Sequence, residues 1–168
     1  MARAYIGASL EDDLRLRGLR DEIYNSIDSP RYYKKKTPHI TIIPAFSVDP
    51  EYKDRVEELV HSSSLPGTSV RCENLAVWKN INVPRVVMLD VDVNIEDERH
   101  IMMSGLREIG VDNIPDPVSP HITLFKKYST DIETPRQTRK KIQEEIYGRH
   151  TFPDTRVLDT FVDFKEEN

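Results

Sequence analysis

Apolar residues recur along this chain with two periods, and the switches between them mark its elements. Ala4 to Ala8 reads as a strand. Ser9 then caps a helix, with Asp12 at capping-box spacing and an apolar stripe at Leu16, Leu19, Ile23 and Ile27. Pro38 to Ile43 is the next strand. Asp49 caps a second helix, with Pro50 at its first position and Val56, Leu59 and Val60 on its inner face. Thr68 to Trp78 and Arg85 to Val93 are strands, with a turn from Lys79 to Pro84 between them. Asn94 caps a helix that ends at Gly110, and Pro120 to Lys126 is a strand. Thr134, with Pro135 and Gln137, opens the last helix, which stops at Gly148; Thr155 to Phe164 is the final strand.

The order is β-α-β-α-β, stated twice. Ser9 and Asn94 are 85 residues apart, as are Pro50 and Pro135. The tetrapeptide Pro38-His39-Ile40-Thr41 recurs 82 residues later as Pro120-His121-Ile122-Thr123. A near-constant offset across several elements carries more weight than four repeated letters. It predicts an α+β fold of two similar lobes, about 1–80 and 84–168, related by a pseudo-twofold axis. Two antiparallel sheets would line a central cleft, with helices outside and the two His strands meeting in the middle. At 168 residues the chain suits a single bilobal domain, 1–168.

The repeated motif carries chemistry. In a strand, residues i and i+2 share a face, so each His and its Thr point together, with Ile40 or Ile122 on the other side. Histidine exchanges protons near neutral pH and threonine donates a hydroxyl. Two such pairs facing each other would hold a phosphate between two imidazoles and two hydroxyls. His39, Thr41, His121 and Thr123 are therefore the candidate catalytic residues.

Composition narrows the setting. The chain is 38% hydrophobic and 32% charged, an ordinary soluble balance, and no apolar run is long enough to span a membrane. Its opening residues do not read as a signal peptide, because the apolar stretch is short and runs into Glu11-Asp12-Asp13. Cys72 is alone, which leaves no disulfide framework and no cysteine metal site, and is expected to be a buried apolar residue. A cytoplasmic monomer without cofactor is expected. No metal site is expected either, because only two histidines recur and no carboxylate lies at ligand spacing beside them. His61, His100 and His150 read as surface residues.

Net charge is −5, so any phosphate-bearing partner must be held by a local basic patch. Arg31-Tyr32-Tyr33-Lys34-Lys35-Lys36 runs directly into the first motif and reads either as a base-stacking, phosphate-neutralising segment or as a solvated basic loop. Tyr33 is a candidate substrate contact. Tyr5 is either core or a second such contact, and Gly7 on its face would leave room for a ligand. Lys126 is the third, although strict alternation puts it opposite His121 unless a bulge intervenes near Phe125. Trp78, at the hairpin end, is either a base-stacking platform or core, and core is the expectation.

These motifs resemble those of the two-histidine (2H) phosphoesterase superfamily, and within it the RNA 2′,3′-cyclic phosphodiesterases, also called 2′-5′ RNA ligase-like or LigT-like proteins. The opening Arg3 to Asp12 is similar to that family's first strand and helix, Leu75 to Leu89 to its central hairpin, and Pro120-His-Ile-Thr-Leu-Phe-Lys126 to its second motif. The first motif continues as Ile43-Pro44-Ala45-Phe46, where relatives often carry Lys-Phe-Leu-Gly. The resemblance implies metal-independent hydrolysis of RNA 2′,3′-cyclic phosphate ends, or of small cyclic-phosphate nucleotides, to a 2′-phosphate. His121 is expected to activate water and His39 to protonate the leaving oxygen. A phosphodiesterase for 2′-5′-linked or cyclic oligonucleotide messengers is the alternative within the same chemistry, and a non-catalytic RNA- or nucleotide-binding module is the alternative outside it. ATP-dependent ligation lacks both a phosphate-binding Gly-rich loop and a nucleotidyl-lysine motif.

Overall fold

The computed structural model describes residues 1–129, 133–148 and 151–166. In chain order these form β1 (Ala2–Leu10), α1 (Asp13–Ile27), β2 (Tyr32–Lys34), β3 (His39–Val48), a 3₁₀ turn (Pro50–Tyr52) and α2 (Lys53–His61). Then come β4 (Ser69–Asn80), β5 (Val83–Asp92), α3 (Glu96–Ile109), β6 (His121–Lys127), α4 (Arg136–Tyr147) and β7 (Thr155–Glu166). The fold is α+β, and every strand pairing is antiparallel.

The strands run in the order β2-β6-β3-β1-β7-β4-β5, and β5 also pairs with β6. The two antiparallel sheets expected from the repeat are joined at their edges into one continuous set. It divides into a β3-β1-β7 group and a β4-β5-β6-β2 group. Two short seams join them: Ile40 opposite Ile122, and Ser69 and Val70 opposite Arg156 and Thr155. The halves of the chain exchange their last strands, since β7 pairs along β1 and β4 pairs along β5.

Alternation explains the layering. On β1, Ala2, Ala4, Ile6, Ala8 and Leu10 are buried, while Arg3, Tyr5 and Ser9 keep some exposure. The apolar face packs with Leu16, Ile23 and Ile27 of α1, Val56 and Val60 of α2, and Met102 and Leu106 of α3 in one core. Each such full burial contributes about 1.5–3 kcal/mol.

Element boundaries differ from expectation where tertiary pairing overrides local signals. Ser9 is not a helix cap: it lies inside β1, opposite both His39 and Asp159, and its hydroxyl donates to the Asp159 carbonyl at 3.3 Å. Asp12 takes the cap position of α1. Ile95, not Asn94, precedes α3, whose first turn carries Glu96, Asp97 and Glu98 to complement the helix dipole. Thr134 is buried, and its hydroxyl lies 3.3 Å from that of Tyr32 instead of capping α4. Asp49 does cap, accepting from the Glu51 N–H at 3.1 Å, although the turn it opens is 3₁₀ before α2 begins. The Lys79–Pro84 turn shrinks to Ile81-Asn82, because Asn80 Oδ1 accepts from both the Asn82 and Val83 N–H groups. Gly110 ends α3 at φ 115°, a left-handed angle that favours glycine.

Candidate active site

β3 and β6 meet at the Ile40–Ile122 pair, the middle residue of each His-x-Thr tripeptide. Both isoleucines are fully buried, which turns His39, Thr41, His121 and Thr123 to the opposite side. Antiparallel direction sets Thr123 on the His39 side of the bridge and Thr41 on the His121 side.

Each motif contains a bulge at the same place. Pairing of β1 with β3 steps from Ile6–Ile43 to Gly7–Thr41, and pairing of β5 with β6 steps from Val87–Phe125 to Met88–Thr123. Ile42 and Leu124 are the extra residues, each three positions after its histidine. The bulge lets two successive residues be buried, Ile42-Ile43 and Leu124-Phe125, and inverts the alternation beyond them. Lys126 consequently emerges beside His121 and Thr123. Pro44 holds the equivalent position after His39.

All seven residues singled out from the sequence line one cleft of about 590 Å³: Tyr5, Tyr33, His39, Thr41, His121, Thr123 and Lys126. Sequence reasoning missed Asp163 and Lys165 of β7, which also line it. They reach the cleft because β7 pairs with β1, setting Asp163 opposite Tyr5 and Lys165 opposite Arg3. The alternation of β7 was visible in the sequence, but its partner strand was not.

The histidines share one arrangement. His39 Nδ1 lies 3.0 Å from the Thr37 carbonyl, and His121 Nδ1 lies 2.9 Å from the Ser119 carbonyl. A carbonyl only accepts, so each Nδ1 carries the proton and each Nε2 is left for the substrate. Their surroundings differ. His39 packs against Tyr5, with ring centres 5.5 Å apart, and against the edge of Phe161 at 5.8 Å. Burial, then Lys35 and His121, hold its imidazole below the ordinary value, against the opposite pull of the Thr37 carbonyl and Asp163. Burial and Asp163 push the Tyr5 phenol up, so it stays protonated.

The cleft is cationic within an acidic protein. Among the described residues, Lys34, Lys35, Lys36, Lys126 and Lys165 line it against one carboxylate, that of Asp163. Lys34 is engaged, with its ammonium 3.1 Å from Asp21. Lys35 sits below the ordinary ammonium value through burial and the repulsion of Lys126 and Lys165. Cations crowded to that degree are relieved by an anion.

Several expectations need correction. The basic segment is not a loop throughout, because Tyr32–Lys34 forms β2 against β6. Tyr32 is core, donating to the Pro84 carbonyl at 2.6 Å. Trp78 is not core but 50% exposed, with the Arg85 guanidinium 5.4 Å from its ring centre. The space beside Gly7 is filled by Phe161, whose Cζ would stand 2.6 Å from an added Cβ. Cys72 is buried as expected, and burial pushes its thiol up to about 11. His61 and His100 are exposed, and His150 lies outside the described residues. Among the described residues no helix is long and apolar enough to cross a membrane, and no cluster of three or more His, Cys, Asp or Glu could hold a metal ion.

No protein-family model matches the chain, and no curated protein matches it in sequence. Solved structures do. TT0787 of Thermus thermophilus superposes with a TM-score of 0.63 at 14% identity, covering 95% of this chain and 83% of that one. The MHV ns2 PDE domain gives 0.56 at 16% identity over 76% of this chain and 85% of its own. E. coli LigT complexed with 3′-AMP gives 0.52 at 16% identity over 96% and 82%. At these identities the likeness is one of fold: the chain has a LigT-like α+β fold.

Proposed function

We propose that the protein is a phosphodiesterase that opens RNA 2′,3′-cyclic phosphate ends to a 2′-phosphate, with His39 and His121 as the proton-transfer pair. One observation carries this reading. Two imidazoles, each with its Nδ1 tied to a carbonyl so that Nε2 is the atom left for substrate, line one cationic cleft with two threonines. Thr41 and Thr123 supply donors to the non-bridging oxygens, and Lys126 and Lys35 balance the charge that grows on them. One imidazole takes a proton from water as its oxygen bonds to phosphorus. The P–O3′ bond breaks and the other imidazole protonates O3′, leaving a 2′-phosphate and a free 3′-hydroxyl. No step calls for a metal.

Burial favours His39 as the base. An imidazole held below its ordinary value is neutral at pH 7, the state a base requires. His121 then acts as the acid. This order reverses the one expected from the sequence, where the repeat offered nothing to separate the two. LigT was solved complexed with ATP and with 3′-AMP, which supports a nucleotide as the ligand of this fold.

The test is a substrate panel in EDTA: short RNAs ending in 2′,3′-cyclic phosphate, 2′-5′ oligoadenylate, and cyclic dinucleotides, with products assigned by ³¹P NMR. Turnover of the first to a 2′-phosphate is expected. Preferential cleavage of the second or third would reassign the substrate to oligonucleotide messengers. Binding without turnover of any would leave a nucleotide-binding module.

A further inference from the structure

On the other side of Lys126 lies a second groove of about 310 Å³, walled by Tyr33, Trp78, Arg85, Lys127 and Tyr128. Tyr33 and Lys126 line both spaces, so the two adjoin. Trp78 is 50% exposed and Tyr128 70% exposed, leaving large aromatic surface uncovered by the fold. The rings of Tyr33 and Tyr128 lie 4.8 Å apart, and Arg85 stands over Trp78. The charged residues of the groove are Arg85, Lys126 and Lys127, and no carboxylate lines it among the described residues, in a protein of net charge −5.

Aromatic faces interleaved with cations are what single-stranded nucleic acid requires, since bases stack and phosphates need neutralising. We propose that this groove binds the nucleotides on the 5′ side of the one held in the cleft, so that the substrate is a single-stranded RNA end, not a free cyclic mononucleotide. Trp78 and Tyr128 offer stacking platforms and Arg85 a phosphate contact. The proposal rests on the function proposed above for the adjoining cleft.

The experiment compares a cyclic mononucleotide with a pentanucleotide ending in 2′,3′-cyclic phosphate, using the wild type, Trp78→Ala, Tyr128→Ala and Arg85→Gln, with thermal melts to establish folding. Wild type should favour the pentanucleotide in kcat/KM. Each aromatic variant should lose about 5- to 150-fold on the pentanucleotide, the effect of one stacking contact, while mononucleotide turnover stays within about twofold. Arg85→Gln should flatten the salt dependence for the pentanucleotide alone. Equal turnover of both substrates by the wild type, or equal losses on both in the variants, overturns the groove. If neither substrate turns over, it is the reading of the cleft that fails. Binding of a 3′-phosphorylated pentanucleotide, followed by fluorescence anisotropy, then decides the groove separately: weakening in Trp78→Ala supports it and no change refutes it.

A different observation carries a second inference. Arg20 of α1 and Arg99 of α3 are among the few buried charged side chains, 9% and 4% exposed. Arg20 donates to the Lys35 and Lys36 carbonyls, and Arg99 to those of Val118 and the bulged Ile42. Lys36 and Val118 each stand three residues before their histidine. The next carbonyl along, Thr37 or Ser119, is the one that holds the imidazole Nδ1. The geometry points to Arg20 and Arg99 as duplicated positioning residues, which fix the approach to each motif and through it each histidine's tautomer. Imidazole ¹⁵N shifts test this in Arg99→Lys, which keeps the charge but not the fork, and in Arg20→Lys. Arg99→Lys should mix the tautomers of His121, and Arg20→Lys those of His39. Unchanged tautomers, with kcat/KM falling only as stability falls, would refute it.

Discussion

Replacing Lys126 with methionine removes one charge from the cleft and keeps most of the side-chain stem. The consequence follows from the bulge at Leu124. Without it Lys126 would lie on the apolar face, and with it Lys126 lines the cleft together with Thr123. A charge-assisted bond to a phosphate oxygen contributes about 1.5–3 kcal/mol. At about 1.4 kcal/mol per decade, the substitution should lower kcat/KM by about 10- to 150-fold. Stability should not follow activity. Lys126 is one of the two like charges that hold Lys35 below its ordinary value, so its loss relieves repulsion in the free protein. The melting temperature should hold or rise slightly. Steady-state kinetics on a cyclic mononucleotide, read beside a thermal melt, separate the two effects. Because the phosphate is charged before and during the reaction, KM should rise and kcat should also fall. Pro44 provides the reciprocal experiment. It stands five residues after His39, as Lys126 stands after His121, and lines the same cleft, so Pro44→Lys in the Lys126→Met background should recover part of the loss. Activity within twofold of wild type in Lys126→Met would refute the placement. So would a loss that merely tracked a fall in melting temperature.

Three further outcomes are expected. The acidic limb of the pH profile of kcat/KM should lie below the ordinary imidazole value of 6.5, because His39 as base must be deprotonated and its pKa is lowered. Lys35→Met should move that limb upward by removing one cause of the lowering, and a limb already at or above 6.5 in the wild type would contradict the assignment. His39→Ala and His121→Ala should each cost about 10²–10⁴-fold, with the double variant well short of the product; near-full activity in either single variant, measured by initial rates, sinks the paired mechanism. Gly7→Ala should force the Phe161 ring off its contacts with Tyr5 and His39, destabilising the fold by about 1–3 kcal/mol in urea unfolding and lowering turnover with it.

Features repeated or periodic in the sequence were legible. The two His-x-Thr tripeptides announced their shared face through alternation, and the offset between halves announced that they would be matched. Caps were read less well. Ser9 and Thr134 have good capping chemistry, but Ser9 is held in a strand paired on both edges and Thr134 is turned toward Tyr32. A short-range signal loses when long-range pairing offers the same atoms a better partner. Trp78 was misplaced because hydrophobicity describes what a residue prefers, not whether a given hairpin end has anything to cover it. Asp163 and Lys165 were out of reach for the same reason as the exchange of last strands. Which strand neighbours which is a property of the whole chain, and no window of the sequence contains it.

Duplication gives the proposed phosphodiester site two matched sets of donors, but a matched pair cannot by itself run a directed reaction. Opposite proton transfers need one imidazole neutral and one charged at the same pH. The asymmetry comes from the walls. His39 is enclosed by Tyr5 and Phe161 and sits within reach of the field of Lys35. His121 lies where the cleft continues into a neighbouring space lined by Val86, Met88 and Val118. The enclosed imidazole is the harder one to protonate. The open side is also the side where Lys126, the aromatic groove and the rest of an RNA strand would lie. In the proposed reaction, a nucleotide entering from that side would bring its ribose toward His121 and leave the pocket around His39 for water. The burial of His39 and the proposed groove would then favour the same direction. Inverting it would take a change at both places: a cation in place of Pro44 and an opening of the Tyr5–Phe161 wall.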